Sequence, residues 1–195
     1  MLAPPCGSFG PAGNRRYPGR TSDLPWGKPA AELTEVQQQR VLDGNRTLKA
    51  AMKLIRLFHR LHIPWVFEHP HSSFAFKTDE LTKIASAEHV HERVLDQCRF
   101  GTPWRKRTRL LMGHIDPQDT ERLRLMCGGS GSTCHTGRKH VVLAGRSPSG
   151  GTMTAGSQSY PMKLCEALAH ALTSEARASL YNRTEPCTLK VASLD

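Results

Sequence analysis

Cys6 lies in a short segment whose composition suits a nucleophile. Two prolines, Pro4 and Pro5, precede the cysteine, and the small residues Gly7 and Ser8 follow it. The prolines restrict the backbone and the small neighbours leave the thiol accessible, as a nucleophile that has to meet a substrate requires. The alternative interpretation is an ordinary loop cysteine, which the segment alone does not exclude.

Glu68 is the second residue that could do chemistry. It follows Trp65-Val66-Phe67, which has the composition of a short buried strand. A carboxyl group beside apolar surface is desolvated, and this raises its pKa so that it can hold a proton near neutral pH. Glu68 is therefore a candidate general acid, with a turn or capping acid at a strand end as the alternative.

A basic segment follows later in the chain, with no acidic residue inside it. Alternate side chains of a strand face opposite ways, so Arg105, Arg107 and Arg109 share one side, and Lys106 and Thr108 share the other. The segment is either a solvated face or a surface for phosphates. With two arginines near the N-terminus, the candidate nucleic-acid-binding residues are Arg15, Arg16, Arg105, Lys106, Arg107 and Arg109.

Composition limits the class of protein. The chain has 195 residues, and its 27 Lys and Arg outnumber its 17 Asp and Glu to give a net charge of +10. The excess lies in residues 1–60, which hold 10 basic and 4 acidic side chains. A polyanion is the natural partner of such a chain. No apolar stretch reaches the ~18 residues of a membrane span, which predicts no membrane partner.

The six cysteines are too few for a disulfide scaffold. We expect reduced thiols in an intracellular protein, located in the nucleus if the source is eukaryotic and otherwise in the cytoplasm.

Hydrophobic spacing predicts the elements that have to position these residues. We expect residues 1–31 to form the nucleophile loop and a basic Pro/Gly-rich segment, residues 32–173 the rest of an α/β domain, and residues 174–195 a weakly patterned tail. The predicted helices are 45–62, 79–96, 119–126 and one that Ser159 opens as N-cap; the predicted strands are 65–67, 104–112 and 140–145.

In this order the segments resemble the DNA (cytosine-5) methyltransferase family. Pro4-Pro5-Cys6-Gly7-Ser8-Phe9 is similar to its Pro-Pro-Cys-Gln-Gly-Phe-Ser loop, and Glu68-His69-Pro70 to its Glu-Asn-Val. Phe100-Gly-Thr-Pro-Trp-Arg-Lys-Arg-Thr108 is similar to its Tyr-Gly-x-Pro-Gln-x-Arg-x-Arg. The helix after Tyr160-Pro161 resembles the one with which the family closes near its cofactor. The resemblance covers roughly residues 3–172 and is to a divergent branch found in phages and mobile elements.

The resemblance implies a role for each catalytic candidate. Cys6, as a thiolate, would add to C6 of a flipped-out cytosine, and Glu68 would hydrogen-bond to or protonate N3. A methyl group from S-adenosylmethionine would then be transferred to C5, and elimination would release Cys6. The basic segment 105–109 would hold the base and the DNA backbone.

Several departures from the family pattern argue against full activity. Gly7 and Trp104 stand where the family has glutamines, and His69-Pro70 replaces Asn-Val, so that an amide that braces the loop is missing. Lys106 and Thr108 occupy the positions of the two arginines.

The family binds its cofactor through a Phe-x-Gly-x-Gly turn and two strands before the nucleophile, whereas only five residues precede Cys6. We expect a partial Rossmann-like methyltransferase domain, truncated at its N-terminus and lacking the first half that holds the cofactor. The cofactor-binding residues are unknown, and the oligomeric state is not predicted. The alternative function is a non-catalytic, basic nucleic-acid-binding remnant of a mobile element.

A further group of cysteines and histidines has a spacing that metal ligands can have. The group comprises Cys127, Cys134, His135 and His140, with Cys98 upstream, and its Cys-x6-Cys…His spacing could bind zinc. The close Cys-x2-Cys or His-x3-His pairs of a zinc motif are absent. The expected state is therefore no metal, with loop thiols and surface imidazoles at Cys127, Cys134 and His140.

Overall fold

The computed structural model describes residues 1–130, 132–145 and 151–182, with side chains as far as residue 174. The helices are α1 (Pro11–Arg16), α2 (Glu35–Arg60), α3 (Asp79–Ala85) and α4 (Met162–Asn182), and the strands are β1 (Trp65–Pro70), β2 (Val90–Asp96) and β3 (Arg107–Gly113). Short 3-10 turns lie at Ala30–Glu32, Phe74–Lys77, Gln97–Phe100, Pro117–Leu123 and Ala155–Ser157. Among the described helices, none combines the length and the hydropathy needed to cross a membrane.

The three strands form one sheet in the order β1-β3-β2. β3 pairs antiparallel with both neighbours, so β1 and β2 run parallel to each other. On the other edge of β1, Leu2 forms a parallel bridge with Phe67. The Leu2 N–H donates to the Val66 carbonyl (2.7 Å), and the Glu68 N–H donates to the Leu2 carbonyl (2.9 Å). The loop that begins after Leu2 therefore starts beside the end of β1.

Helices cover both faces of the sheet and form two apolar cores. Trp65 and Phe67 on β1 face α2 and α3, whereas Val66 faces α4, because side chains alternate along a strand. This three-layer arrangement has mixed helix and strand content, compatible with the predicted α/β class. The first core contains Leu48, Ala51, Met52, Ile55, Leu81, Ile84 and Leu111 with Phe9; the second contains Leu95, Leu110, Met112, Leu123, Leu164, Ala167, Leu168 and Ala171.

The helix predicted from residue 45 begins ten residues earlier, at Glu35. Thr34 and Gln37 form a capping box, in which the Thr34 side chain accepts from the Gln37 N–H and the Gln37 side chain accepts from the Thr34 N–H. Gly44 lies inside the helix instead of starting it. A Cβ at Gly44 would come within 2.6 Å of the Ser8 Oγ, so glycine lets the nucleophile loop pack against the helix.

The predicted helix 79–96 is wrong in its second half. Helix α3 ends at Ala85, and residues Val90–Asp96 form strand β2. The apolar residues have helical spacing, and this predicted a single helix. In the structure, the side chains of Val90, Glu92 and Val94 alternate along a strand with those of the residues between them, and this strand pairs with β3. Pairing with a strand distant in the chain decided the structure of this segment.

Three further expectations are corrected near the second core. Residues 140–145 form no strand, although the Val141 N–H donates to the Pro103 carbonyl at 2.8 Å. The predicted helix 119–126 is the 3-10 turn Pro117–Leu123. Helix α4 begins at Met162, so Ser159 is not its N-cap.

The chain ends also differ from the expected loops. Residues 1–31 contain the short helix α1, in addition to the bridge at Leu2. The predicted tail, residues 174–195, begins inside α4, which continues to Asn182. Residues 183–195 of that tail lie outside the described residues.

Candidate functional site

The nucleophile loop is folded tightly around Cys6. The Gly10 N–H donates to the Cys6 carbonyl at 2.8 Å, and Gly7 has a positive φ of 35°. A Cβ at Gly10 would lie 3.1 Å from the Cys6 Sγ, and one at Gly13 would lie 2.0 Å from the Gly7 carbonyl oxygen. The approach at Gly13 requires glycine, and these contacts pack the turn that follows Cys6, which is itself exposed, closely against it.

The side chains after Cys6 attach the loop to α2. Ser8 and Phe9 are buried, and the Arg20 guanidinium lies 3.6 Å from the centroid of the Phe9 ring. Arg20 donates to the Ser8 Oγ (2.8 Å) and to the Val41 carbonyl (3.0 Å). Burial lowers the pKa of Arg20 to about 10. Arg20 is thus a structural cation of the N-terminal segment and is only 2% exposed.

Glu68 lies at the buried end of β1 and makes one strong hydrogen bond. The Tyr160 hydroxyl donates to its Oε2 at 2.6 Å, whereas Oε1 is buried without a hydrogen-bond partner among the described residues. Burial raises the pKa of Glu68, while the Tyr160 hydrogen bond and the Lys106 ammonium oppose the rise. The carboxyl group is therefore suited to hold a proton, and the hydrogen-bonding capacity of its Oε1 is unsatisfied among the described residues.

Lys106 places a positive charge close to Cys6 and Glu68. Its Nζ donates to the Ser157 carbonyl at 2.9 Å and lies 5.9 Å from the centroid of the Tyr160 ring. The same ammonium lowers the pKa of the Cys6 thiol, but partial desolvation of the sulfur and the nearby Glu68 raise it more strongly. Cys6, Glu68, Lys106 and Tyr160 are thus close enough to influence one another's ionisation.

His69 connects Glu68 to the nucleophile loop. Its Nδ1 lies 2.7 Å from the Ser73 Oγ, and the Ser73 hydroxyl donates to the Phe9 carbonyl at 3.2 Å. Because the Ser73 hydrogen is directed at Phe9, Nδ1 is the donor to Ser73. Burial, helped by Lys106, lowers the pKa of His69 to about 4, so the ring is neutral. This imidazole and hydroxyl link the end of β1 to the backbone of the loop that carries Cys6.

The arginines of the basic segment are paired with acids of β2. Arg105 and Arg107 both donate to the fully buried Asp96 (3.2 and 3.0 Å), and Arg109 forms an ion pair with Glu92 at 2.9 Å. They lie on the side opposite Lys106, as the alternation predicts. Burial pushes the pKa of Asp96 up, but hydrogen bonds from these arginines and from the Cys127 N–H outweigh it, so the pKa is lowered.

Arg15 and Arg16 lie at the exposed end of α1, ten residues from Cys6 in the chain. Arg16 is 5.3 Å from the centroid of the Tyr17 ring. They remain candidate phosphate contacts close to the nucleophile loop.

A second group of reactive side chains lies on the far side of the basic strand. Ligand atoms of Cys98, Cys127, Cys134 and His135 all lie within 4.8 Å of one another, and the three thiols are buried. His140, a candidate from the sequence, has its Nε2 3.7 Å from the Cys127 Sγ. N–H donors around the Cys127 sulfur lower its pKa to about 7, against the effect of burial.

Sequence reasoning named Cys6 and Glu68 but gave no role to Tyr160, His69 or Ser73. The Tyr160-Pro161 pair was visible as part of a helix motif, yet a contact across 92 residues has no local signal. Ser73 lies four residues after His69, which is a common spacing in turns and does not indicate a contact between the two side chains. Asp96, the acid for two arginines, lay in a segment predicted as helix.

Comparison with known proteins identifies no relative. No family model, no curated protein and no solved structure matches the chain.

Proposed function

We propose that the Cys6–Glu68 centre activates cytosine in DNA, as the base-binding half of a cytosine-C5 methyltransferase-like protein. The observation that carries the proposal is the unpartnered, buried Oε1 of Glu68 beside an exposed thiol on a braced loop. A carboxylic acid in such a place can donate to a ring nitrogen while the thiol attacks the same ring. The base has to leave the stack to reach both groups.

The position of the two groups in the fold supports this proposal. Leu2 forms a parallel bridge with Phe67, so the loop that carries Cys6 begins beside the C-terminal half of β1, where Glu68 lies. Ligands of open α/β sheets bind at the carboxyl ends of strands. The antiparallel β3 between two parallel strands, with helices on both faces, is compatible with the second half of a Rossmann-like domain.

The steps that activate the base need no cofactor. The Cys6 thiolate forms a bond to C6, electrons move through C5 and C4 to N3, and N3 takes the proton of Glu68. The resulting enamine is nucleophilic at C5 and takes a proton from water. The hydroxide left by that water takes the original C5 proton, the electrons of the C–H bond expel the Cys6 thiolate, and N3 returns its proton to Glu68, which regenerates cytosine.

Three groups would assist these steps. Tyr160 holds the Glu68 carboxyl group through Oε2, which directs Oε1 to the base. Lys106 stabilises the developing thiolate and neighbouring phosphate charge. The His69–Ser73 link keeps the loop at a constant distance from Glu68.

S-adenosylmethionine would supply the methyl group, but the described residues do not fit a site for it. The Gly-rich segment is built into the cysteine group, since a Cβ at Gly129 would lie 2.1 Å from the Thr133 carbonyl oxygen. Cys6 and Glu68 line none of four cavities in the described part of the chain. The described residues therefore support activation of the base alone.

The test is exchange of the C5 hydrogen, which needs no methyl donor. Duplex and single-stranded DNA with tritium at C5 of cytosine are incubated with the full chain, and released tritium is counted. We expect release by the native chain and by Cys165→Ala, a control at an exposed cysteine on α4. Cys6→Ala should release none above background. Equal release by Cys6→Ala, or no release by the native chain, contradicts the proposal.

A non-catalytic nucleic-acid-binding role is the second candidate, favoured by the net charge of +10 and the exposed Arg15 and Arg16. Binding to DNA or RNA that falls steeply with salt, without exchange of the C5 hydrogen, would support it. Pairing of Arg105, Arg107 and Arg109 with acids leaves fewer cations for this role than the sequence suggests.

A further inference from the structure

Three thiols and an imidazole converge from separate parts of the chain beside the start of β3. Cys98 lies in the 3-10 turn after β2, Cys127 follows the turn Pro117–Leu123, and Cys134 with His135 lies in the next turn. The buried cysteines form an apolar cluster of their own, without an aliphatic or aromatic member. Three cysteines that pack only on one another are unusual in a core, because thiols are small and do not fill it.

We propose that Cys98, Cys127, Cys134 and His135 bind one Zn²⁺ ion in a structural Cys3His site. Structural zinc sites take four ligands of these two kinds in a tetrahedron, with Zn–S distances near 2.3 Å. Such a tetrahedron separates its sulfurs by about 3.8 Å. The Cys127 and Cys134 sulfurs lie 3.9 Å apart, and His135 Nδ1 lies 3.8 Å from the Cys127 sulfur and 3.1 Å from the Cys134 sulfur.

The backbone around the cysteines supplies what bound thiolates need. The His135 N–H donates to the Cys127 sulfur at 3.4 Å, and the Gly129 N–H is directed at the same atom. The Thr136 N–H is directed at the Cys134 sulfur. Donors aimed at sulfur stabilise its negative charge, whereas a neutral thiol gains little from them.

A tight turn presents two of the ligands together. The Cys134 N–H donates to the Arg138 carbonyl (2.6 Å), and the Gly137 N–H donates to the Cys134 carbonyl (2.9 Å). Gly137 has a φ of 78°, which favours glycine, and Thr133 and Lys139 form a bridge at the base of the turn.

The surrounding charge is complementary to the site. Three thiolates and one Zn²⁺ carry a net charge of −1, and the Arg105 and Arg107 guanidinium groups lie beside them. Arg105 Nη2 donates to the Cys127 carbonyl at 3.5 Å, and Arg107 interacts with the Cys127 thiol through its charge. Asp96 joins these arginines to the Cys127 N–H at 2.9 Å.

The segment that carries the ligands has little else to hold it. Between Leu123 and Ala155 the described residues contain no helix and no strand beyond the bridge at Thr133. Val141 and Val142 are exposed in it. In a segment with so little apolar burial, metal binding provides the folding free energy.

The experiment measures metal in the full chain purified without chelators. Elemental analysis should find about one zinc per chain, and cobalt in its place should give the visible bands of a tetrahedral sulfur-rich site. Cys127→Ser and Cys134→Ser should lower the zinc content at least tenfold, whereas Cys165→Ser should retain it. His135→Ala should bind more weakly and His135→Cys should restore binding, while His140→Ala should leave the zinc content unchanged.

A measurement on the native chain covers the case in which the variants do not fold. Alkylation followed by mass mapping should modify Cys6 and Cys165 at once, and Cys98, Cys127 and Cys134 only after a chelator is added. Protection that a reductant releases and a chelator does not would reveal a disulfide and overturn the proposal. Absence of zinc, or full zinc content in Cys127→Ser, would do the same.

Discussion

Two cysteine centres in this chain use the same side chain in opposite surroundings. Cys6 is exposed on a glycine-rich loop, next to a carboxyl group, and its thiol pKa is raised. Cys127 is buried among N–H donors and other thiols, and its pKa is lowered to about 7. The surroundings of each sulfur, and not the residue type, thus set the direction in which the thiol pKa moves.

The two centres lie on opposite sides of the strand that begins at Arg107. Lys106 faces Glu68 and Tyr160, whereas Arg105 and Arg107 face Asp96 and the Cys127 loop. The basic segment 105–109 thus contributes side chains to both groups of residues. Each of the following experiments changes one centre at a time.

The largest effect is expected when the two cysteines are exchanged for inert residues separately. Cys6→Ala should reduce C5-hydrogen exchange by at least about 1000-fold, because no other group supplies the nucleophile. Its zinc content should equal that of the native chain. Cys127→Ser should lose zinc. If Cys6→Ala lost zinc as well, the two centres would not be independent.

Replacement of the acid should weaken the reaction without stopping it. Glu68→Gln keeps the shape of the side chain but removes its transferable proton, so exchange should fall by about 100-fold. The rate should also lose the pH dependence that Glu68 imposes in the native chain. Retention of the native pH–rate profile by Glu68→Gln would exclude Glu68 as the proton donor.

Acid should destabilise the nucleophile centre through His69. Its pKa is lowered from 6.5 to about 4, so its neutral form stabilises the fold above pH 6.5. This contribution is lost as the pH falls through the window from 6.5 to 4 and amounts to about 3 kcal/mol. Chemical denaturation at pH 7 and pH 4 measures it.

His69→Asn is the matched variant, since asparagine can still hydrogen-bond with Ser73 but does not titrate. Its free energy of unfolding should fall less than that of the native chain over the same pH window. An equal loss in both proteins would mean that His69 is protonated as easily in the folded state as in the unfolded state.

The smallest effect is expected for Tyr160→Phe. Burial raises the pKa of Glu68 and the Tyr160 hydrogen bond opposes the rise, so this variant should raise the pKa further. The alkaline limb of the pH–rate profile should move to higher pH, with a change of less than about tenfold in the maximal exchange rate. A limb that moves to lower pH would contradict the assigned hydrogen bond. Zinc content serves as the control.

Local patterns predicted the first helix and strand around the site well. The spacing of Leu48, Met52 and Ile55 indicated the buried face of α2, and Trp65–Phe67 indicated β1. The beginning of α2 was missed although Thr34-x-x-Gln37 is a capping-box pattern, because Gly44 was taken as a helix start. That glycine is explained by a contact with Ser8, which no local pattern records.

The sequence alone therefore specified the identity of the reactive groups and the order of the segments that carry them. Which groups meet depended on the fold: Tyr160 reaches Glu68 across 92 residues, and Asp96 of β2 neutralises Arg107 of β3. The cysteine spacing predicted no metal, yet folding gathers Cys98, Cys127 and Cys134 into one cluster. Local propensity acts over a few residues, whereas hydrogen-bond partners, burial and hence pKa values are set by chain segments distant in sequence.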